Sequence, residues 1–99
     1  MPHKKRHAFA VVVPAWVGGL DSECLRQIVS EALWARQHAV DHGAEQHSPC
    51  RAALASADAT MATIHDHRVV GDPACTKASA ALRAYTVAAE CAHPTTRHR

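Results

Sequence analysis

Aromatic residues are almost missing from this 99-residue chain: two Trp, one Tyr and one Phe. Large aliphatics are also few. Leu, Ile, Val and Phe together number 17, whereas alanine alone supplies 21. A core built this way is thin, and a small chain has little burial to spare. Stability is therefore expected to be marginal unless disulfides, a metal or a partner chain staple the fold. Only four glycines occur, and all sit at breaks between apolar stretches, so no glycine-rich phosphate loop exists. The most apolar run, residues 8–17, is too short to span a bilayer as a helix. There is no CxxC, no HExxH and no nucleophile-elbow context around Ser22, Ser30, Ser48, Ser56 or Ser79. Carboxylates such as Glu23 and Glu31 stand two turns apart on a polar helix face, where solvation explains them. No catalytic residue is assigned, and the chain is not expected to be an enzyme.

What is present is helix. Residues 21–43 carry the clearest amphipathic signal. Leu25, Ile28, Val29, Ala32, Leu33, Arg36, Ala39 and Val40 fall on one side at 3.6 residues per turn. Asp21 is the expected N-cap, and Gly43 suits the left-handed position after a helix end. Ser48-Pro49 reads as cap plus first-turn proline and opens a second helix to about His67. Its inner stripe is Cys50, Leu54, Ala57, Met61, Ile64, His65 and Arg68. Asp72-Pro73 repeats the signal and opens a third helix to about Ala92, which Pro94 ends. Cys75, Ala78, Leu82, Tyr85, Thr86 and Ala89 form its main stripe. Ala80, Ala84, Val87, Ala88 and Cys91 make a second apolar face.

Similar helix lengths and short loops predict an all-α fold: a small antiparallel three-helix bundle with an extended apolar N-terminal arm. Residues 1–19 would be a basic tail plus that arm. Residues 20–93 would hold the helices at about 21–42, 49–67 and 73–92, and 94–99 would form a second basic tail. Ala8 to Val13 is rich in β-branched Val, and Pro14 favours extended geometry before it. A basic start followed by a short apolar run has the outline of a secretory signal. Pro14 interrupts that run and no small-x-small pattern closes it. An arm in a cytoplasmic protein is therefore expected, with secretion as the alternative if residues 1–19 act as a signal.

The formal charge of +2 conceals an asymmetry. Residues 20–92 hold nine acids against six Lys/Arg, and the excess basic charge sits in the two tails. The turn from His67 to Asp72 precedes a helix whose basic residues are only Lys77 and Arg83, poor for facing phosphates. Nucleic acid is not an expected partner, and a nucleic-acid-binding three-helix module is the weakest alternative.

Trp34 breaks the pattern of the first helix by lying among its polar residues. Either the apolar N-terminal segment folds over it, or it anchors a partner, a role in which Trp is enriched. The surplus apolar face of the third helix and the thin core favour binding to another protein or a homo-oligomer. Trp34, His38, Phe9 and Trp16 are the candidate contact residues.

The cysteines offer a second chemistry. In an up-down-up bundle Cys24 and Cys75 share one pole, and Cys50 and Cys91 share the other. Those are the plausible disulfide pairs, although the wheel sets Cys91 opposite Leu82 and away from an inward Cys50. Sequence alone cannot choose among the pairings, and in a reducing cytosol all four remain free thiols. His38, His42, His47, Cys50 and Cys91 would also gather at one pole, where zinc accepts mixed nitrogen and sulfur ligands. No cofactor is otherwise expected; a zinc-binding or thiol-redox helical protein is the alternative function.

Overall fold

The computed structural model describes residues 13–92. Phe9, His93, both basic tails and most of the expected arm lie outside these residues. The elements in order are α1 (Ala15–Gly18), α2 (Glu23–Asp41), a 3-10 turn (Ala44–Gln46), α3 (Ser48–His65) and α4 (Asp72–Ala92). Among the described residues no strand occurs, so the chain is all-α. No helix among them is long and apolar enough to cross a membrane.

Local chemistry explains most of the boundaries. Ser22, not Asp21, caps α2: its Oγ accepts from the Leu25 backbone N–H at 3.2 Å. A short hydroxyl two residues before Cys24 reaches that orphan donor, and Asp21 stands one residue too early. Gly43 ends α2 as expected, with φ of 86° in the left-handed region. His47, without a side-chain cap bond, precedes α3, and Ser48 is already helical with Pro49 in the first turn. Helix α3 closes earlier than expected, at His65. The His67 N–H donates to the Ile64 carbonyl and the Arg68 N–H to the Thr63 carbonyl. That pair of bonds is a Schellman closure, with His67 at φ of 60° where glycine is usual. Arg68 and His65 are consequently exposed instead of lying in the inner stripe. Within residues 1–19, expected to be tail and arm, Ala15–Gly18 forms one helical turn after an extended Pro14. Val17 and Leu20 are buried, which gives the chain a reason to turn inward there.

Helix α4 is the centre of the packing. It lies along both α2 and α3, while α2 and α3 touch one another little. Its buried residues are Ala74, Ala78, Ala81, Tyr85, Ala88 and Ala89. The small side chains let both neighbours approach closely. Larger side chains then come from the flanks: Leu25 and Val29 on α2, and Leu54, Met61 and Ile64 on α3. Fully burying one such aliphatic side chain is worth about 1.5–3 kcal/mol. Ala81 belongs to the buried stripe of α4 and Thr86 does not. Thr86 is exposed and its hydroxyl donates to the Leu82 carbonyl at 3.0 Å. Of the second apolar face expected on α4, Ala88 is buried, whereas Val87 stays 52% exposed.

Candidate functional site

Three groups of side chains are candidates for function: a polar cluster between the helices, the cysteines, and the face around Trp34.

The polar cluster joins all three long helices. Arg36 on α2 donates from Nε to Asp58 Oδ1 at 2.9 Å and from a terminal nitrogen to Asp58 Oδ2 at 3.3 Å. Tyr85 on α4 donates its hydroxyl to the same Asp58 Oδ1 at 2.5 Å. The Tyr85 ring is fully buried, while the Arg36 and Asp58 side chains are each partly exposed. Burial and the bond to Asp58 push the Tyr85 hydroxyl well above the ordinary tyrosine range. The bond to Asp58 likewise raises the Arg36 guanidinium, against the opposing effect of its burial. A phenol held protonated and already bonded to a carboxylate is a poor base and a poor nucleophile. The cluster therefore does structural work: it fixes the level of the helices relative to one another.

No single line of sequence pointed to this cluster. The available signals were Arg36 inside an apolar stripe and a lone Tyr in the core. A charge at a core-facing position calls for an opposite charge, and a buried phenol for an acceptor. Asp58, beside the buried Ala57, could have met both demands.

The cysteines divide into two pairs. Cys50 and Cys91 form a disulfide, with Cα atoms 5.6 Å apart and a sequence separation of 41. This corrects the expectation that these two remain free thiols. It also corrects the helical-wheel objection, which assumed a single core-facing side on α4. Leu82 and Cys75 share one flank of that helix, seven residues apart, and Cys75 lies against Cys24 of α2. Cys91 projects from the other flank, toward α3. Cys24 and Cys75 are free thiols, the first exposed and the second half-buried.

The residues considered for zinc do not all remain available. Cys50 and Cys91 are bonded to each other, so neither sulfur is a thiolate. With Gln46, His47, Ser48, Pro49 and Ala92 they line a hollow of about 520 Å³. His38 and His42 pack edge to face, with ring centroids 4.2 Å apart, and line a different cleft. Among the described residues no three His, Cys, Asp or Glu side chains converge in a way that could hold a metal ion.

The face around Trp34 is built from α2. Trp34 is 44% exposed. With Gln37, His38, Asp41 and His42 it lines a cleft of about 300 Å³. Gln37 Nε2 donates to Asp41 Oδ1 at 2.9 Å along the same face. Trp16 lies elsewhere and is half-buried. Its indole stacks on the His65 imidazole, centroids 4.5 Å apart, and so ties α1 to the end of α3.

No family model, no curated protein and no solved structure matches the chain. The fold defines the class, a small all-α protein, and the reading of its function rests on the residues themselves.

Proposed function

We propose that the chain is a small non-enzymatic helical interaction protein whose Trp34 face binds a second copy of itself, its Cys50–Cys91 bridge favouring the secreted alternative over the cytoplasm. In this reading the helices form an antiparallel three-helix bundle, with residues 1–19 supplying a basic tail and apolar arm. The observation that carries it is a partly exposed tryptophan at the start of a helical seam. Trp34, Gln37, His38 and Asp41 recur at three- and four-residue spacing on one helix, which is the pattern of a helix–helix contact. An antiparallel pairing centred on this face sets Trp34 of one copy near Asp41 of the other, and Gln37 near His38. Tryptophan brings large contact area with only two side-chain torsions to fix, which makes it a good anchor.

Sedimentation velocity of the full chain over a concentration series tests this. A monomer–dimer equilibrium is expected. Trp34→Ala removes the anchor from both copies and weakens it by at least about thirtyfold, the loss of one 2 kcal/mol hot spot. A chain that stays monomeric at every concentration, with Trp34→Ala indistinguishable from it, overturns the reading.

A second reading, zinc binding, draws on the His38–His42 contact. It predicts that zinc titration gives a binding isotherm that His38→Ala abolishes.

A further inference from the structure

Two thiols meet at the pole opposite the disulfide. Their placement follows from the polar cluster. Arg36 of α2 and Tyr85 of α4 converge on Asp58, which sets those two helices level at that point. Cys24 lies twelve residues before Arg36, and Cys75 ten residues before Tyr85. At 1.5 Å per residue these are rises of about 18 Å and about 15 Å, so the two cysteines arrive at nearly the same level. The helices run in the same direction, because Cys24 at the start of α2 lies against Cys75 at the start of α4 while Arg36 and Tyr85, further along each, converge on Asp58. Cys24 and Ser22, both from the start of α2, lie against the Cys75 thiol. Cys24 is exposed, and Cys75 is half-buried against the core.

We propose that Cys24 and Cys75 are a thiol pair that a small-molecule disulfide oxidises to a second intramolecular bridge, tying the start of α2 to the start of α4. The exposed Cys24 reacts first. Its thiolate attacks one sulfur of the disulfide RSSR, forming a Cys24–SR mixed disulfide and releasing RS⁻. Cys75 then loses its proton to water and attacks the Cys24 sulfur, and the second RS⁻ leaves. Two protein thiols are oxidised and one external disulfide is reduced to two thiols. Partial desolvation, the Cys24 thiol and the Asp72 carboxylate all push the Cys75 thiol upward. Cys75 therefore supplies less thiolate at a given pH and is slow to attack RSSR first, and its later attack is aided by its placement against Cys24.

The consequence is a staple at each end. The existing bridge joins α3 to α4, and the new one joins α2 to α4. All three helices are then covalently closed around the alanine-rich α4, in a fold with little large apolar side chain to hold it.

The test uses the full chain with its Cys50–Cys91 bridge intact, incubated in oxidised glutathione, acid-quenched, alkylated and digested with trypsin. The expected product is the peptide ending in Arg26 joined to the peptide ending in Lys77, with intact mass lower by two protons. Cys75→Ser is expected to stop at a glutathionyl group on Cys24. Cys24→Ser is expected to form no internal bridge and to react far more slowly. The native chain accumulating glutathionylated Cys24 with no joined peptide overturns the proposal. So does a joined peptide that couples Cys24 or Cys75 to Cys50 or Cys91.

Discussion

The hydroxyl of Tyr85 donates to Asp58 Oδ1 at 2.5 Å, and the same oxygen accepts from Arg36 Nε at 2.9 Å. One carboxylate oxygen on α3 thus receives a bond from the central α4 and one from α2 on its far side. Hydrogen bonds to charged groups contribute about 1.5–3 kcal/mol each. Tyr85→Phe is expected to lower unfolding free energy by about 1.5 kcal/mol. Asp58→Ala is expected to cost more, because it leaves the buried Tyr85 hydroxyl without its acceptor. Urea denaturation measures both; an Asp58→Ala chain as stable as the parent would show the cluster to be idle.

The same pair sets an alkaline limit. Tyr85 holds its proton more tightly in the folded chain than in the unfolded one, chiefly because it is buried. Its stabilising contribution is fully present below the unfolded tyrosine pKa of about 10 and is lost as pH rises through and beyond that value. The urea midpoint is therefore expected to lose this contribution only above about pH 10. Tyr85→Phe, having no proton to lose, should show a shallower fall. Equal slopes for the two chains would remove Tyr85 as the cause.

The Cys50–Cys91 bridge closes a loop spanning a sequence separation of 41. On the chain-entropy account such a loop contributes about 4 kcal/mol. The double substitution of both cysteines by serine is expected to lose that much, enough to leave a thin-cored chain largely unfolded at elevated temperature. Thermal unfolding by circular dichroism reads the loss. A double variant melting at the parental temperature would show that packing alone holds α3 to α4.

His67 occupies a left-handed conformation, φ 60°, at the end of α3. That conformation costs an L side chain roughly 1–2 kcal/mol, partly offset by the extra freedom glycine has when unfolded. His67→Gly is expected to stabilise the chain by about 0.5–1 kcal/mol. In a domain of this size that raises Tm by about 2–8 °C. A lowered Tm would mean that the imidazole makes a contact worth more than the strain it carries.

The inner stripe of α3 was legible in advance: Cys50, Leu54, Ala57, Met61 and Ile64 are all buried. So was much of α2, through Leu25, Val29, Ala32 and Ala39. Each of these helices buries one side against α4, and a single buried side produces a clean 3.6-residue period. The α4 stripe was only half legible. Ala81 was missed and Thr86 wrongly included, because a helix meeting partners on two flanks has no single apolar side. Alanine sharpens the difficulty, since it is acceptable on either surface. Within the Trp34 face, the sequence marked Trp34 as out of place, but not its cleft with Gln37 and Asp41.

The sequence by itself determined where the three long helices lie. Pro49, Pro73, Gly43 and the apolar periods act within a turn or two of chain, so their effect can be read locally. Tertiary structure alone decided which helix is central, which cysteines are bonded and what Arg36 pairs with. Those outcomes depend on which flank of α4 faces which neighbour. Cys91 meets Cys50, and Tyr85 meets Asp58, only because residues 27 to 41 positions apart are brought together by the docking of whole helices.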